Sequence, residues 1–472
     1  MRTTLNNYFL ERATAVYFFA LIVCCVIYSA HWMEWYWILA GVIEVTLFYV
    51  LTTNLEQGWK RLSPEVFERK LFWGTAAIRL IWVIGFYMFT NAVWHTPWEQ
   101  PIGTSMDSYA YMEEGLWLKE MILNRDISPY LLYVSNRIDD AGYPVFLGLL
   151  SLLTGDAILA TRLPNVIFDA WTAVLTYRIA RRNFGEKVAR LASLFTMLMP
   201  MIIFYSGTTM KESIMLMIAM WALERGDYTI RNKSFIGFCF PAFILLTALL
   251  LFYRTALAWV LILSFICALF FSSERVINKT RRLGIILVIS FAGLFLLGGS
   301  IMDQSNELIN QIESTGANFE FRANRQGGNV LVRNLSKAVF APIIFTVPFP
   351  TMVSIEGQNI QQLQNGGFYI KNILSFFVLF SLIIIIKKKA WGSNVMVIAY
   401  MVGYLLALTL SSFAHSGRFH HPVIPVEMIF AALGIYSIQN RRQAGYFDYF
   451  LIIEFLIILV WNGFKLRGRG TI

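Results

Sequence analysis

Long apolar runs recur along the whole chain, many of them near the length of about 20 residues that an α-helix needs to cross a hydrocarbon core of about 30 Å. Within such a core every backbone N–H and C=O must be satisfied inside the segment, so repeated runs of this length leave a bundle of helices as the fold. The spacing predicts spans over residues 13–30, 35–52, 75–94, 158–180, 188–205, 212–223, 235–252, 255–271, 283–302, 368–386, 394–413, 423–438 and 446–464. The chain therefore reads as an all-α, polytopic helical membrane protein of about thirteen transmembrane helices. Composition agrees, with 57% hydrophobic and only 14% charged residues among 472.

The net charge of +10 raises nucleic acid as a partner. Its Lys and Arg residues fall mostly in short loops between spans, where the positive-inside bias accounts for them, so a nucleic-acid partner is excluded and membrane lipid is the expected surrounding. Cys24, Cys25, Cys239 and Cys267 all lie in apolar runs, without the spacing of a disulfide framework or a metal knuckle. Arg2 and Arg12 precede the first run without a small-residue cleavage site, which predicts a retained span.

Orientation follows from the basic clusters. Arg181, Arg182 and Arg190, the stretches 225–233 and 275–282, Lys387 to Lys389, and Arg441 with Arg442 then share the cytoplasmic side. The other side receives an acid-rich loop at 95–157, the turn 207–212, a loop at 302–337 and the short loop 414–421. Lys465, Arg467 and Arg469 would then lie outside, so either the last segment fails to span or this tail breaks the rule. Residues 143–154 are too few to cross and predict an interfacial or re-entrant helix, and the run 341–352 is interrupted by Pro342, Pro348 and Pro350. Ser63-Pro64-Glu65, flanked by Lys60, Arg61, Arg69 and Lys70, predicts a short amphipathic helix on the cytoplasmic face. Three regions result: 1–72 with extra spans and that helix, 73–224 as a core carrying the first outer loop, and 225–472 as a variable membrane region.

A polar loop of this length between spans commonly carries function. Asp107 stands near its start and reads either as the cap of a helix beginning near Ser108 or as a catalytic carboxylate. Arg254 interrupts a hydrophobic hairpin, where a charge either snorkels or binds a partner. Arg418 shares its loop with His415, His420 and His421; adjacent histidines cannot point at one ion from a helix or a strand. A divalent cation such as Mg or Mn between Asp107 and Glu212 is a further candidate, since hard cations favour carboxylate oxygens. Asp169 lies inside a span and either serves function or pairs with Arg162 or a neighbouring hydroxyl. Trp98, Trp117, Tyr130 and Tyr133 are aromatic candidates for a sugar pocket in the outer loop.

The order of motifs resembles a known family. Asp107, Tyr109 and Tyr111 form Asp-x-Tyr-x-Tyr in the first outer loop; Ala141-Gly142-Tyr143-Pro144-Val145-Phe146-Leu147 and Gly155 come after them. Thr161-Arg162-Leu163-Pro164-Asn165 then leads to Tyr177-Arg178-Ile179-Ala180-Arg181-Arg182-Asn183-Phe184-Gly185. Together they look like the GT-C-fold, polyprenyl-phosphate-sugar-dependent glycosyltransferases, which include protein O-mannosyltransferases and aminoarabinose transferases. The resemblance covers residues 73–223 and the late Gly417-Arg418-Phe419 with Pro422 and Pro425. It departs from the family pattern at Ser108, where a second acid is common, and at Lys211-Glu212, where an Asp is frequent.

The resemblance implies an enzyme that moves a sugar from a polyprenyl-phosphate carrier to a glycan, lipid or protein acceptor at the outer face of a membrane, expected to be the bacterial inner membrane. An inverting displacement needs a carboxylate base for the acceptor proton and positive charge for the departing phosphate. Asp107 and Glu212 are the expected catalytic pair, with desolvation expected to raise Asp107 toward a useful range. Arg254, Lys211 and Arg418 are the expected phosphate ligands, with Tyr109, Tyr111, Tyr143 and His420 around the substrate. A transporter or flippase would place ionisable groups at the midplane of two related halves. No internal repeat of that kind is evident. A polymerase or ligase using polyprenyl diphosphate shares the outer-face arginines, and the early Asp107 motif is what separates the transferase from it.

Overall fold

A computed structural model of the chain describes residues 4–99, 107–135, 138–232, 237–273, 343–355, 362–410 and 416–467. The expected span 283–302, the outer loop 302–337, the basic stretch 275–282, His415 and Arg469 lie outside the described residues. Among those described, every regular element is helical: α1 Thr4–Ile27, α2 Trp35–Trp59, α3 Pro64–Trp94, α4 Asp107–Leu123, α5 Ser128–Ser135, α6 Gly142–Thr154, α7 Ile158–Phe184 and α8 Glu186–Leu198. Next in the chain come α9 Pro200–Ser206, α10 Glu212–Asn232, α11 Cys239–Leu251, α12 Thr255–Phe271, α13 Asn365–Lys387, α14 Val395–Leu410, α15 Gly417–Ser437 and α16 Arg441–Arg467.

Among the described residues, seven helices (α1, α2, α3, α7, α13, α15 and α16) are long and apolar enough to cross a membrane, and an eighth span results if the bent pair α8 and α9 counts as one. The expected count of about thirteen is therefore not confirmed. Hydropathy alone does not see where a helix stops: α11, α12 and α14 are apolar but shorter than a span, and α10 carries Glu224, Arg225, Asp227 and Arg231 in its second half.

The helix start expected at Ser63 is present. Ser63 Oγ accepts from the Val66 N–H at 3.4 Å and Pro64 takes the first helical position, where its missing N–H costs nothing. The helix then runs 31 residues without a break to Trp94, far beyond the short element expected. The separate amphipathic helix does not exist; residues 64–72 are the first turns of the third span, so the expected boundary at residue 73 falls inside α3 and that at 225 inside α10.

Between α8 and α9 the chain bends by 49° at Met199-Pro200. Proline has no N–H for the helical ladder, so carbonyls at the end of α8 lose partners deep in the bundle. Arg79 supplies them: its Nη1 donates to Met197 O at 2.9 Å and its Nη2 to Thr196 O at 3.4 Å, while its Nε meets Asp169 Oδ2 at 3.1 Å. Neither side chain of the pair is exposed. Asp169 thus balances the arginine that seals a helix break; its charged partner is Arg79 on α3, not Arg162, and the expected hydroxyl neighbour is Ser213 of α10.

The described part of the proline-interrupted run is mostly buried within the bundle and irregular. Irregular backbone at that depth needs protein partners. Lys371 Nζ donates to Phe345 O at 2.9 Å and Val347 O at 2.8 Å, Asn365 Oδ1 accepts from Thr351 N at 2.9 Å, and Asn462 Oδ1 accepts from Met352 N at 2.7 Å. The last helix, α16, is 27 residues long and meets the length and composition of a span. It lies against α1 through Arg12 and Tyr8, which contact Asp448 at 2.6 and 2.7 Å.

The bundle has two polar ends. At one, Arg178 pairs with Glu68, Arg182 with Glu224 and Asp227, and Arg190 binds the carbonyls of Trp59, Lys60 and Leu62. The other end gathers the starts of α4, α10, α12 and α15. There α4 packs against α6 at Gly115 and Gly148, where a Cβ on Gly148 would stand 2.7 Å from the Gly115 carbonyl oxygen. Small residues at a helix crossing permit this approach, and they set α4 firmly over the bundle.

Candidate active site

Asp107 is the first residue of α4, Glu212 the first of α10, and Arg418 the second of α15. The fold brings all three together although 311 residues separate Asp107 from Arg418. Arg418 Nη1 donates to Asp107 Oδ2 and its Nε donates to Glu212 Oε1, so one guanidinium joins the two carboxylates. The planar fork of arginine suits such double recognition. Gly417 lets the chain approach, because a Cβ there would run into the Phe368 ring.

The two carboxylates differ in surroundings. Asp107 has a side chain 53% exposed, so the desolvation expected for it is not found. Glu212 is wholly buried, and its Oε2 has no hydrogen-bond partner among the described residues. The position between them, where a divalent cation was a candidate, holds the Arg418 guanidinium. Among the described residues no group of three or more His, Cys, Asp or Glu side chains stands together as a metal site.

Arg254 does not snorkel away. It precedes α12, with its Cζ 4.5 Å from the Phe419 ring centroid and a buried Nη1 that has no hydrogen-bond partner among the described residues. Its charge also acts on Glu212, Lys211 and Tyr404. Lys211, by contrast, is committed: its Nζ donates to Asp140 Oδ1 and, at 2.7 Å, to Tyr253 O. Burial pulls this lysine below its ordinary value; Asp140 opposes that shift and Arg254 adds to it. Lys211 therefore ties the turn before α10 to the approaches to α6 and α12, and phosphate binding by it would require displacing Asp140.

Of the expected pocket residues, Tyr111 and Tyr143 meet edge to face at 5.5 Å, and Tyr111 lies under Lys211 at 5.9 Å. Tyr109 is exposed and edges Trp98 at 5.6 Å. His420 is fully buried one residue beyond Phe419. Trp117, Tyr130 and Tyr133 pack on one another at 5.4–6.4 Å, joining α4 to α5 rather than lining the site.

Three further residues stand at this end: Glu99, which sequence reasoning missed, and His421 and Arg162, which it named without giving them a place in the site. His421 is buried with its ring 4.9 Å from that of Tyr205, and neither of its nitrogens has a hydrogen-bond partner among the described residues. Glu99 is 5% exposed and accepts from the Ser108 hydroxyl. Arg162, buried at the start of α7, donates from Nε to Thr209 Oγ1 at 3.2 Å and from Nη2 to Pro97 O at 2.6 Å. Arg162 carries its signal in the Thr-Arg-Leu-Pro-Asn motif and His421 in the histidines beside Arg418, whereas nothing in the sequence singles out Glu99.

Residues 80–305 match the family model of the Alg9-like mannosyltransferases. No curated protein matches the chain. A solved structure, the archaeal oligosaccharyltransferase AglB from Archaeoglobus fulgidus in complex with an inhibitory peptide and a dolichol-phosphate, is similar at 12% identity and a TM-score of 0.45. That likeness covers 86% of this chain and 56% of the other, so the chain spans little more than half the length of its structural relative. The family match includes most of the segment whose motifs resemble the GT-C glycosyltransferases, and it bears that resemblance out.

Proposed function

We propose that this chain is a membrane glycosyltransferase with a lipid-linked sugar donor, a reading that its match to the Alg9-like mannosyltransferase model supports, and that Asp107, Arg418 and Arg254 form the centre of transfer. The observation that carries the reading is the single guanidinium of Arg418, which gathers the starts of three helices at one end of the bundle with Arg254 beside them.

Asp107 is half exposed at this end and stands where an incoming hydroxyl can reach it. It takes the acceptor proton as the hydroxyl oxygen attacks the anomeric carbon; the bond from that carbon to the carrier phosphate breaks with inversion, and the phosphate leaves with the electron pair. Arg254, with one nitrogen unpartnered among the described residues, and Arg418 hold the departing phosphate. Glu212 reaches the reaction through Arg418, whose guanidinium it fixes from behind, and so acts as a positioning residue. Tyr111 and Tyr143 offer an aromatic wall to the sugar.

The donor is a polyprenyl-phosphate sugar, and the acceptor a glycan, lipid or protein. The site faces the outside, opposite the end rich in arginine, in a bacterial inner membrane. The test is transfer by the purified protein from a panel of polyprenyl-phosphate sugars, read by mass spectrometry of carrier and product. Glycosyl transfer from at least one carrier monophosphate is expected; turnover only with diphosphate-linked donors would replace this reading with polymerase or ligase chemistry.

A further inference from the structure

The first turn of α4 and the turn before α10 are joined twice. In front, Asp107 and Glu212 meet on Arg418. Behind, a second polar string connects the next residue of α4 to the same turn: Ser108 donates to Glu99 Oε1, Glu99 Oε2 lies 3.8 Å from Arg162 Nη2, and Arg162 Nε donates to Thr209 Oγ1 at 3.2 Å. Ser108, Arg162 and Thr209 are fully buried and Glu99 nearly so. Thr161 joins the same end, its Oγ1 3.5 Å from that of Thr209.

The string is charged as well as hydrogen-bonded. A buried carboxylate opposite a buried guanidinium is costly to leave alone, so removing either partner disturbs the other. Ser108 cannot move without breaking its bond to Glu99, and Asp107 cannot move without Ser108. We propose that Glu99 is a positioning residue for the transfer reaction: held by Arg162, it fixes Ser108 and so sets the separation between Asp107 and the Thr209–Glu212 turn. This role for Glu99 rests on Asp107 being the base. It also gives a role to the serine after Asp107, since its hydroxyl brings a distant carboxylate to the helix start.

Geometry of this kind shows in turnover before it shows in binding, because a misplacement of about 1 Å can cost on the order of 10²-fold in rate. Ser108→Ala and Glu99→Gln are expected to lower kcat by about 10- to 100-fold each, with the KM for the lipid-linked donor within about twofold. Both cut the same string, so the double variant is expected to lose no more than the worse single one. Additive losses, a raised KM with kcat preserved, or wild-type turnover in both variants would overturn the proposal. If Glu99→Gln does not yield folded protein, Ser108→Ala with Thr209→Val, which remove only hydroxyls from the two ends, gives the same cycle and the same outcomes. Asp107→Asn in the same assay separates the two readings. A fully active Asp107→Asn protein overturns the base and this inference with it, whereas an inactive one beside unaffected Ser108→Ala and Glu99→Gln overturns this inference alone.

Discussion

Replacing Asp107 by Asn separates a base from a structural carboxylate with one change of charge. The side chain is 53% exposed and, among the described residues, the cation bonded to it is Arg418, so the ion pair it loses is worth about 0–1 kcal/mol. As the first residue of α4 it also meets the positive end of the helix, a favourable contact of about 0.3–1 kcal/mol. Arg418 stays bonded to Glu212, and an Asn oxygen can still accept from the guanidinium. Stability should therefore fall by less than about 2 kcal/mol. Loss of a general base costs on the order of 10²–10⁴-fold in rate, about 2.7–5.5 kcal/mol on the barrier. The assay is single-turnover sugar transfer with saturating donor, alongside a thermal melt in detergent. Transfer within about threefold of wild type would refute the assignment of the base, because that is well short of what base catalysis contributes.

Arg254→Gln should raise the KM for the donor by about 10- to 100-fold, as expected when a charged hydrogen bond of about 1.5–3 kcal/mol is lost; unchanged donor saturation would remove Arg254 from phosphate recognition. For orientation, a cysteine at Asn124 should react with an impermeant thiol reagent in intact cells and one at Lys388 should not, the unaltered protein serving as control for its four native cysteines; labelling at Lys388 alone would invert the proposed topology. Ser108 is unsuitable for that experiment because it is buried. Asp169→Asn leaves Arg79 as an uncompensated buried charge and should cost about 3–5 kcal/mol, while specific activity per folded molecule holds. A melt unchanged by Asp169→Asn would show that the arginine needs no counter-charge at the helix break.

The features legible in the sequence are the local ones. Apolar runs identify helices, Ser63-Pro64 marks the start of α3, and the cost of a charge in an apolar hairpin singles out Arg254. Alternation of loop charge also places Asp107, Glu212 and Arg418 on one side of the bundle. The pairings were not legible. Arg79 and Asp169 lie 90 residues apart on different helices, and nothing in either neighbourhood names the other. The same holds for Lys211, whose charge looks available until Asp140 and the Tyr253 carbonyl are seen to occupy it. Exposure is illegible for a related reason: a residue at the rim of a bundle and one buried inside it can carry the same sequence signals, and here Asp107 is the first and Glu212 the second.

The bridge from Asp107 to Glu212 also has a consequence for synthesis. Both carboxylates emerge from the ribosome long before the guanidinium that unites them, and the stretch matching the mannosyltransferase family ends at residue 305. During insertion, Glu212 must wait at the head of its helix without the guanidinium that bonds it while more than two hundred further residues are made, with Lys211 and then Arg254 as its nearer positive charges. A burial that costly without a partner favours a loosely packed, hydrated nascent end until α15 arrives. Entry of that late helix therefore brings in the guanidinium that joins the two carboxylates and fills that end of the bundle.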